Sequence, residues 1–228
     1  MIARVIFVLI LSYLIGSIPV GYLLVKLIKG VDVRKVGSGR VGTTNAVRAA
    51  GPIAGVFTAI LDASKGILVA YLANLVLSGS IWMKVFAVIL AVVGQIFSIF
   101  LIEHGADGKV HLHGGAGGAT TLGGAIALWP VGLLIILPFV VLVYIGVGYA
   151  SLTTISIAFF SLVIFCYNAI LGTGPWQYLV YGFATLAIVI YTLRPNLERL
   201  MKGTERTVGL RAYFQKRAQQ TLPSGVKK

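Results

Sequence analysis

Long apolar stretches separated by short polar connections dominate the chain. About 20 consecutive apolar residues of α-helix cross a bilayer. The fourth and fifth stretches are shorter than this, so we expect them to be tilted or kinked at Pro130 and Pro138. The pattern predicts an all-α, polytopic membrane protein with about seven transmembrane helices. The predicted spans lie near residues 4–26, 52–77, 81–102, 119–130, 131–147, 151–171 and 176–193.

The positive charges predict how the chain is oriented. Segment 26–48 holds 6 of the 19 Lys and Arg residues, and segment 194–228 holds 9. Basic residues beside membrane spans concentrate on the cytoplasmic side. We therefore expect both segments in the cytoplasm, with the N-terminus outside and the C-terminus inside. The formal charge of +13 then indicates attraction to anionic membrane lipids, and nucleic acid is not expected as a partner.

Composition narrows the remaining choices. Hydrophobic residues make up 58% of the chain and charged residues 11%, whereas soluble domains average about 45–50% and about 25%. The single cysteine, Cys166, excludes an intrachain disulfide and a four-cysteine metal site. We expect a retained first span rather than a cleaved signal. The predicted organisation is one membrane domain over residues 1–210 and a basic, flexible tail over 211–228.

The first polar segment, residues 37–48, has the composition of a phosphate-binding loop. Its glycines allow close backbone approach, and successive N–H groups can form an anion nest. Arg48 can hold a phosphate in a bidentate fork. The segment is not a P-loop, because no Gly-Lys-Ser/Thr follows at the required spacing. A glycine-rich loop whose charges only set topology is the alternative. Neutral donors are supplied by Ser38, Thr43, Thr44 and Asn45.

The second polar segment, residues 103–121, contains all three histidines of the chain. His111 and His113, with His104 or Asp107, are of the types that ligate metals, but their spacing matches no recognised metal motif. A histidine could instead act as a general acid or base. A solvated loop is the remaining interpretation, and no metal site is expected.

Two further groups of charges stand out. Segment 194–205 follows the last predicted span and reads either as part of a site or as an interfacial basic helix. Asp62 and Lys65 lie at i and i+3 inside the second span, where they can pair on one helix face. Such a pair is either a functional group facing a cavity or a buried structural pair.

Several motifs together resemble the bacterial acyl-phosphate-dependent glycerol-3-phosphate acyltransferases. The resemblance covers roughly residues 6–210, and its first motif, Gly37-Ser38-Gly39 followed by Gly42 and residues 44–48, is the most specific. The supporting motifs are Gly16-Ser17-Ile18-Pro19, Asp32-Val33-Arg34, Asp62 with Lys65-Gly66, Tyr149-Ala150-Ser151-Leu152, Asn196 with Arg199-Leu200, and Gly203-Thr204-Glu205.

The resemblance implies a seven-span enzyme of the inner or plasma membrane with its site facing the cytoplasm. Its partners would be glycerol 3-phosphate, acyl phosphate and membrane lipids. The reaction would give lysophosphatidate and phosphate without a cofactor, and the phosphate of glycerol 3-phosphate could itself take the hydroxyl proton. Ser38, Asn45 and Arg48 would be catalytic. Substrate-binding positions would be Gly39, Gly42, Thr44, Lys65, Gly114, Gly115, Gly117, Asn196, Arg199 and Glu205.

The chain also departs from the family pattern at several basic positions. Arg40 replaces an asparagine, Gln95 and Leu193 replace histidines, and Ala116 replaces a lysine. Extra residues over 103–111 precede the second glycine motif. One hypothesis is that Arg40, Lys109, His111 or His113 compensates for the lost charges. The alternative is a catalytically impaired relative that binds lipid or acyl phosphate in the membrane, and a small transporter is a third interpretation.

Overall fold

The computed structural model describes residues 1–104 and 108–221. The helices and strands are α1 (Ile2–Ser17), α2 (Val20–Lys29), α3 (Thr43–Ala50), α4 (Pro52–Val76), α5 (Ile81–Ile96), β1 (Ile102–His104), β2 (Val110–Leu112), α6 (Gly118–Leu128), α7 (Gly132–Leu142), α8 (Ala150–Ile170), α9 (Tyr178–Met201) and α10 (Gly209–Thr221). Short 3₁₀ turns lie at Val33–Lys35 and Ile99–Leu101, and a π-helical turn, Val143–Val147, extends α7.

The helical membrane architecture predicted from the sequence is confirmed. Within the described residues, five helical segments are long and apolar enough to cross a membrane. Two shorter apolar helices, Gly118–Leu128 and Gly132–Val147, lie where short spans are predicted. The count of seven crossings and the outside position of the N-terminus stay predictions. The five long segments are Ile2–Lys29, Pro52–Val76, Ile81–Leu101, Ala150–Ile170 and Tyr178–Met201.

The first span differs from the prediction because it consists of two helices. Pro19 has no N–H to donate, and its ring disfavours helical geometry at the preceding residue. Ile18 accordingly has φ −56° and ψ 116°, and α1 ends one residue earlier. The carbonyls exposed at this break face the bundle, and two of them contact the Lys65 ammonium group.

Glycines bring pairs of helices to backbone distance. A Cβ atom at Gly123 of α6 would overlap the carbonyl oxygen of Ala63 on α4, and one at Gly66 would overlap the backbone of α6. Gly16 stands in the same relation to Ala91, so α1 and α5 also meet closely. Small residues are common at such membrane helix interfaces because they permit close approach. These contacts fix α4 and α6 relative to each other.

A short antiparallel hairpin adds strands to the expected all-α fold. It pairs Ile102 with Leu112, Glu103 with His111 and His104 with Val110. The sequence indicates only a polar loop here, because three-residue strands are too short to give a periodic pattern. The hairpin precedes the second glycine motif.

The C-terminal segment after α9 turns back toward the start of α8. Thr207 forms a β-bridge with Tyr149, and the Val208 N–H donates to the Gly148 carbonyl oxygen at 2.9 Å. This places residues 204–207 beside the bundle. Helix α10 covers residues 209–221. It therefore includes the first part of segment 211–228, which is predicted to be a flexible tail. The division at residue 210 stays a prediction, and residues 222–228 lie outside the described residues.

Candidate active site

The first glycine-containing loop is held by the side chain of Asn45. Its Nδ2 group donates to the carbonyl oxygens of Val33, Val36 and Arg40 at 3.0, 2.7 and 3.0 Å. Its Oδ1 atom accepts from the Ser38 N–H at 3.3 Å. Asn45 is 2% exposed, so its amide is occupied by the loop itself. This arrangement favours a positioning role for Asn45 over direct catalysis.

The second glycine motif packs directly on the first. The Val41 N–H donates to the Gly114 carbonyl oxygen at 3.1 Å, and the Gly115 N–H donates to the Gln95 carbonyl oxygen at 2.8 Å. A Cβ atom at Gly114 would overlap the backbone of Ile96, so a larger residue does not fit. The predicted meeting of these two polar segments therefore occurs, and backbone hydrogen bonds maintain it.

The third polar segment is tied together through Glu205. Its Oε1 atom accepts from Asn196 Nδ2 at 2.8 Å, and its Oε2 atom accepts from Arg199 Nε at 3.0 Å. The Glu205 side chain is 4% exposed. Because both carboxylate oxygens are occupied, Glu205 orients Asn196 and Arg199. The Oδ1 atom of Asn196 is buried and has no hydrogen-bond partner among the described residues.

All three segments contribute to one cavity of about 260 Å³, the first cavity. Loops and helix ends supply most of the polar groups, Asp62 of α4 and Gln95 of α5 add two more, and the transmembrane helices supply the apolar groups. A cavity with this lining suits an amphiphilic ligand that carries both an anion and a hydrocarbon chain. The polar lining includes Ser38, Arg40, Thr44, Asn45, Arg48, Tyr144, Ser151, Thr154, Asn196, Glu205 and Arg206, and the apolar lining includes Ala116, Leu122, Val140, Ile157 and Leu193.

The arginines make this cavity suited to anions. Burial lowers the pKa of the Arg48 guanidinium, and the positive charge of Arg206 lowers it further. Burial also lowers the pKa of Arg40, the charge of Arg199 adds to this effect, and Glu205 opposes it. Arginine stays protonated under such shifts because its guanidinium is a very weak acid. These like charges repel one another, and a bound phosphate would neutralise them.

A second cavity, of about 290 Å³, shares Ser38 and Arg40 with the first. Its other lining residues include Arg34, Gly39, Gly114, Gly115 and His113. The Asp32 carboxylate holds Arg34 through two side-chain atoms, and this hydrogen bonding raises the pKa of Arg34. His113 Nε2 lies 3.0 Å from Glu103 Oε2. Arg34 and His113 are thus already paired, whereas the shared residue Arg40 brings charge to both cavities.

The intramembrane charges form a buried structural network. Lys65 Nζ lies 2.8 Å from Asp62 Oδ1 and contacts Gln95 Oε1. Gln95 Nε2 donates to Asp62 Oδ2 at 2.9 Å. The Lys65 ammonium group is therefore already bound by other groups of the protein. This arrangement favours a role for Lys65 in supporting the site rather than in contacting substrate. Gln95 completes the network as a neutral partner.

The predicted site residues separate into three sets. Lys65 and Arg199, both described by the structure, line neither cavity. The other predicted residues line the first cavity or the second, and Ser38 lines both. Those lining the first cavity are Ser38, Gly42, Thr44, Asn45, Arg48, Gly117, Asn196 and Glu205. Those lining the second cavity are Ser38, Gly39, Gly114 and Gly115.

Sequence reasoning missed several lining residues. Arg206 and Tyr144 carry no motif signal, and they reach the first cavity through the return of the C-terminal segment and the π-helical turn. Ser151 belongs to a motif that pointed to the right region. Of the proposed compensating groups, Arg40 lines both cavities and His113 the second. The other two, Lys109 and His111, belong to the exposed hairpin and do not appear in the lining of either described cavity.

The histidine segment does not form a metal site in the part of the chain that the structure describes. No group of three or more His, Cys, Asp and Glu side chains there is placed to hold a metal ion. Asp107, one of the ligand candidates, lies outside the described residues. The site has instead the charge and hydrogen-bond donors of an anion-binding cavity.

The fold defines a multi-pass integral membrane protein, and its first cavity combines arginines with an apolar lining. Comparison with known proteins gives the family. The family model for glycerol-3-phosphate acyltransferase matches residues 6–203, and the chain belongs to this family.

Curated relatives and solved structures agree with this assignment. The glycerol-3-phosphate acyltransferase of Thermotoga petrophila is 41% identical over 88% of this chain and 95% of its own. Glycerol-3-phosphate acyltransferase 2 of Moorella thermoacetica is 38% identical, over 90% and 97%. Two crystal structures of PlsY, an integral membrane glycerol 3-phosphate acyltransferase, are similar to the structure of this chain. The glycerol 3-phosphate form has a TM-score of 0.76 and 32% identity over 90% of this chain and 96% of PlsY. The lysophosphatidic acid form has a TM-score of 0.73 and 33% identity over 92% and 98%.

Proposed function

We propose that this protein transfers a fatty acyl group from an acyl phosphate to the 1-hydroxyl of glycerol 3-phosphate. The hydroxyl oxygen forms a bond to the acyl carbon, and the bond from that carbon to the phosphate oxygen breaks. Inorganic phosphate leaves with the electron pair, and lysophosphatidate is the other product. The hydroxyl proton passes to a phosphate oxygen of glycerol 3-phosphate. The observation that carries the proposal is the amphiphilic, arginine-lined first cavity in a chain of this family.

The cavity supports chemistry by positioning rather than by a covalent enzyme intermediate. An acyl phosphate is already activated, so holding the hydroxyl close to the acyl carbon and neutralising the phosphates supplies most of what the reaction needs. Ser38, in the loop that Asn45 holds, and Arg48, on α3, both line the cavity. We assign them to substrate phosphate and hydroxyl binding, with Asn45 positioning the loop that carries Ser38.

The lining favours a substrate phosphate as the proton acceptor. Glu205 is hydrogen-bonded at both oxygens, and Asp62 is engaged by Lys65 and Gln95. Among the described residues, no histidine lines the first cavity. The oxygens of both carboxylates are thus already engaged by cationic or amide donors, so we assign the hydroxyl proton to a substrate phosphate.

We place the site at the cytoplasmic side of the cell membrane. The first loop and the return after α9, which build the cavity, are the two regions where Lys and Arg concentrate. Such clusters stay on the cytoplasmic side, where glycerol 3-phosphate is soluble. Seven crossings with the N-terminus outside fit this placement.

A turnover assay with purified full-length protein tests the proposal. Palmitoyl phosphate and labelled glycerol 3-phosphate are supplied in lipid-containing detergent, and lysophosphatidate and phosphate are measured together. We expect equal amounts of the two products. Arg48→Ala should reduce kcat/KM at least about 100-fold, the usual cost of removing one donor to developing charge.

Two matched variants control for general damage. Arg194 stacks on the Tyr191 ring at 4.7 Å, and Ser64 donates to the Leu61 carbonyl oxygen. Neither belongs to the lining of the cavities, so Arg194→Ala and Ser64→Ala should retain activity while Arg48→Ala and Ser38→Ala lose it. Folded protein that binds glycerol 3-phosphate but gives no product with any acyl-chain length would refute catalysis and leave a binding relative.

A further inference from the structure

The Arg40 guanidinium is only partly satisfied by the residues that the structure describes. Its Nη2 group donates to the Thr192 carbonyl oxygen at 2.7 Å. Its Nη1 group is buried and has no hydrogen-bond partner among the described residues. A buried donor on a cation without an acceptor is costly, so a ligand that supplies an acceptor here would gain binding energy.

The position of Arg40 indicates where that acceptor binds. Arg40 and Ser38 both line the first and second cavities, so they form the wall that the cavities share. The bond to Thr192 fixes the guanidinium beside the last turns of α9. Leu193, the next residue, and Ala116 line the first cavity with apolar side chains only. Arg40 therefore supplies positive charge to a lining in which Leu193 and Ala116 supply none.

The nearby carboxylate is not the missing partner. Glu205 is close enough to influence Arg40 electrostatically, but its two oxygens already accept from Asn196 and Arg199. An anion that enters the cavity can supply the acceptor and balance the charge of the guanidinium. Its oxygens must reach a guanidinium edge, which is the geometry that phosphate provides.

We propose that Arg40 is a phosphate-binding residue whose Nη1 group donates to a substrate or product phosphate at the wall between the two cavities. This inference rests on the proposed function for the identity of the phosphate compounds. It assigns to Arg40 a binding role that is separate from those of Ser38 and Arg48. Three sources share this chemistry: glycerol 3-phosphate, the acyl phosphate and the inorganic phosphate that is released.

The test compares Arg40→Gln and Arg40→Lys with wild type and with Arg194→Gln. Arg194 is a matched control because it lies on the same end of α9, two residues from Thr192, and stacks on Tyr191. Equilibrium binding of labelled glycerol 3-phosphate and of inorganic phosphate is measured without turnover. Steady-state assays then give KM for each substrate and the inhibition constant of inorganic phosphate. Thermal unfolding reports the stability of each variant.

We expect Arg40→Gln to weaken at least one of these phosphate affinities about tenfold or more, as loss of a charge-assisted hydrogen bond does. Arg40→Lys should lie between wild type and Arg40→Gln, because one ammonium cannot match both positions of the fork. Arg194→Gln should bind like wild type. The constant that changes most identifies the phosphate that Arg40 contacts.

Unchanged phosphate affinities in Arg40→Gln, with a lower unfolding temperature or a uniformly lower kcat, would overturn the inference and make Arg40 a brace between the loop and α9. The binding arm keeps this outcome distinct from a failure of the proposed function. If wild type binds phosphate compounds without turning them over, catalysis fails, and the comparison of affinities still decides the role of Arg40.

Discussion

Replacing Asn45 with alanine tests how the first glycine-containing loop is held in its active shape. The substitution removes the donor to three carbonyl oxygens and the acceptor for the Ser38 N–H. An amide group has two hydrogens, so two of the three donor contacts count as full bonds and the third is shared. With the Ser38 bond, about three hydrogen bonds at about 1 kcal/mol each are lost, or about 3 kcal/mol in total.

We expect this loss of hydrogen bonds to lower the local stability of the loop more than the global stability of the helix bundle. The lost bonds join Asn45 to the loop and to none of the transmembrane helices, so the unfolding temperature should change modestly. A loss of about 3 kcal/mol corresponds to roughly a 100-fold change in a local equilibrium constant. Hydrogen exchange of the Ser38 amide should accelerate by up to that factor. Turnover should fall by a similar factor once the ordered loop becomes the minor state.

The matched control is Asn168→Ala. Asn168 is also a buried asparagine, 7% exposed, and accepts from the Thr173 hydroxyl at 2.8 Å, but it lies on α8 away from the lining of the cavities. Its replacement should leave the exchange of the Ser38 amide and turnover near wild type. Normal Ser38 exchange in Asn45→Ala would refute the positioning argument. If turnover were lost despite that normal exchange, Asn45 would have to contact substrate directly.

Three further substitutions test the framework and the hairpin. Gly123→Ala should lower stability by at least about 2 kcal/mol through overpacking, measured by thermal unfolding in detergent, whereas Gly146→Ala, with open space around its Cβ position, should not; equal stability of the two would contradict the close helix contact. Asp62→Asn should lower the free energy of unfolding by about 3–5 kcal/mol, because it leaves a buried ammonium without its counter-ion. The double variant Asp62→Leu with Lys65→Met should recover much of that stability. A double variant less stable than Asp62→Asn would argue against a structural pair. Lys109→Ala should leave kcat/KM within about twofold, since a surface change away from the site has little effect; a large fall in the turnover assay would place the hairpin in the reaction.

The membrane architecture could be predicted because the length and composition of each apolar stretch identify it as a membrane helix. Runs such as 52–76 and 150–170 are apolar enough to identify without knowledge of their neighbours. The break at Pro19 was missed because the surrounding residues remain apolar on both sides. The hairpin was missed because its strands have only three residues each and are defined by their pairing with one another. A local sequence pattern does not show such pairing.

The candidate site could be predicted only where it lies in motifs. Ser38 and Arg48 stand in a glycine-rich segment that signals phosphate binding. Arg206 and Tyr144 reach the same cavity through the course of the chain after α9 and the turn after α7, and nothing local marks them. The role of Asn45 was also hidden, because a side chain that bonds to backbone carbonyls looks in sequence like one that bonds to a ligand.

The glycine contact between α4 and α6 has a consequence for the range of acyl chains. An interface made of backbone has no rotamers to exchange, so the wall formed by these helices cannot reshape itself around chains of different length. The part of the lining from α7 and the turn after it is built differently, since Pro138 interrupts the hydrogen bonds of α7 and a π-helical turn carries Tyr144. We expect chain-length preference to change with substitutions near Val140 and Tyr144, and to be insensitive to conservative ones near Ala59.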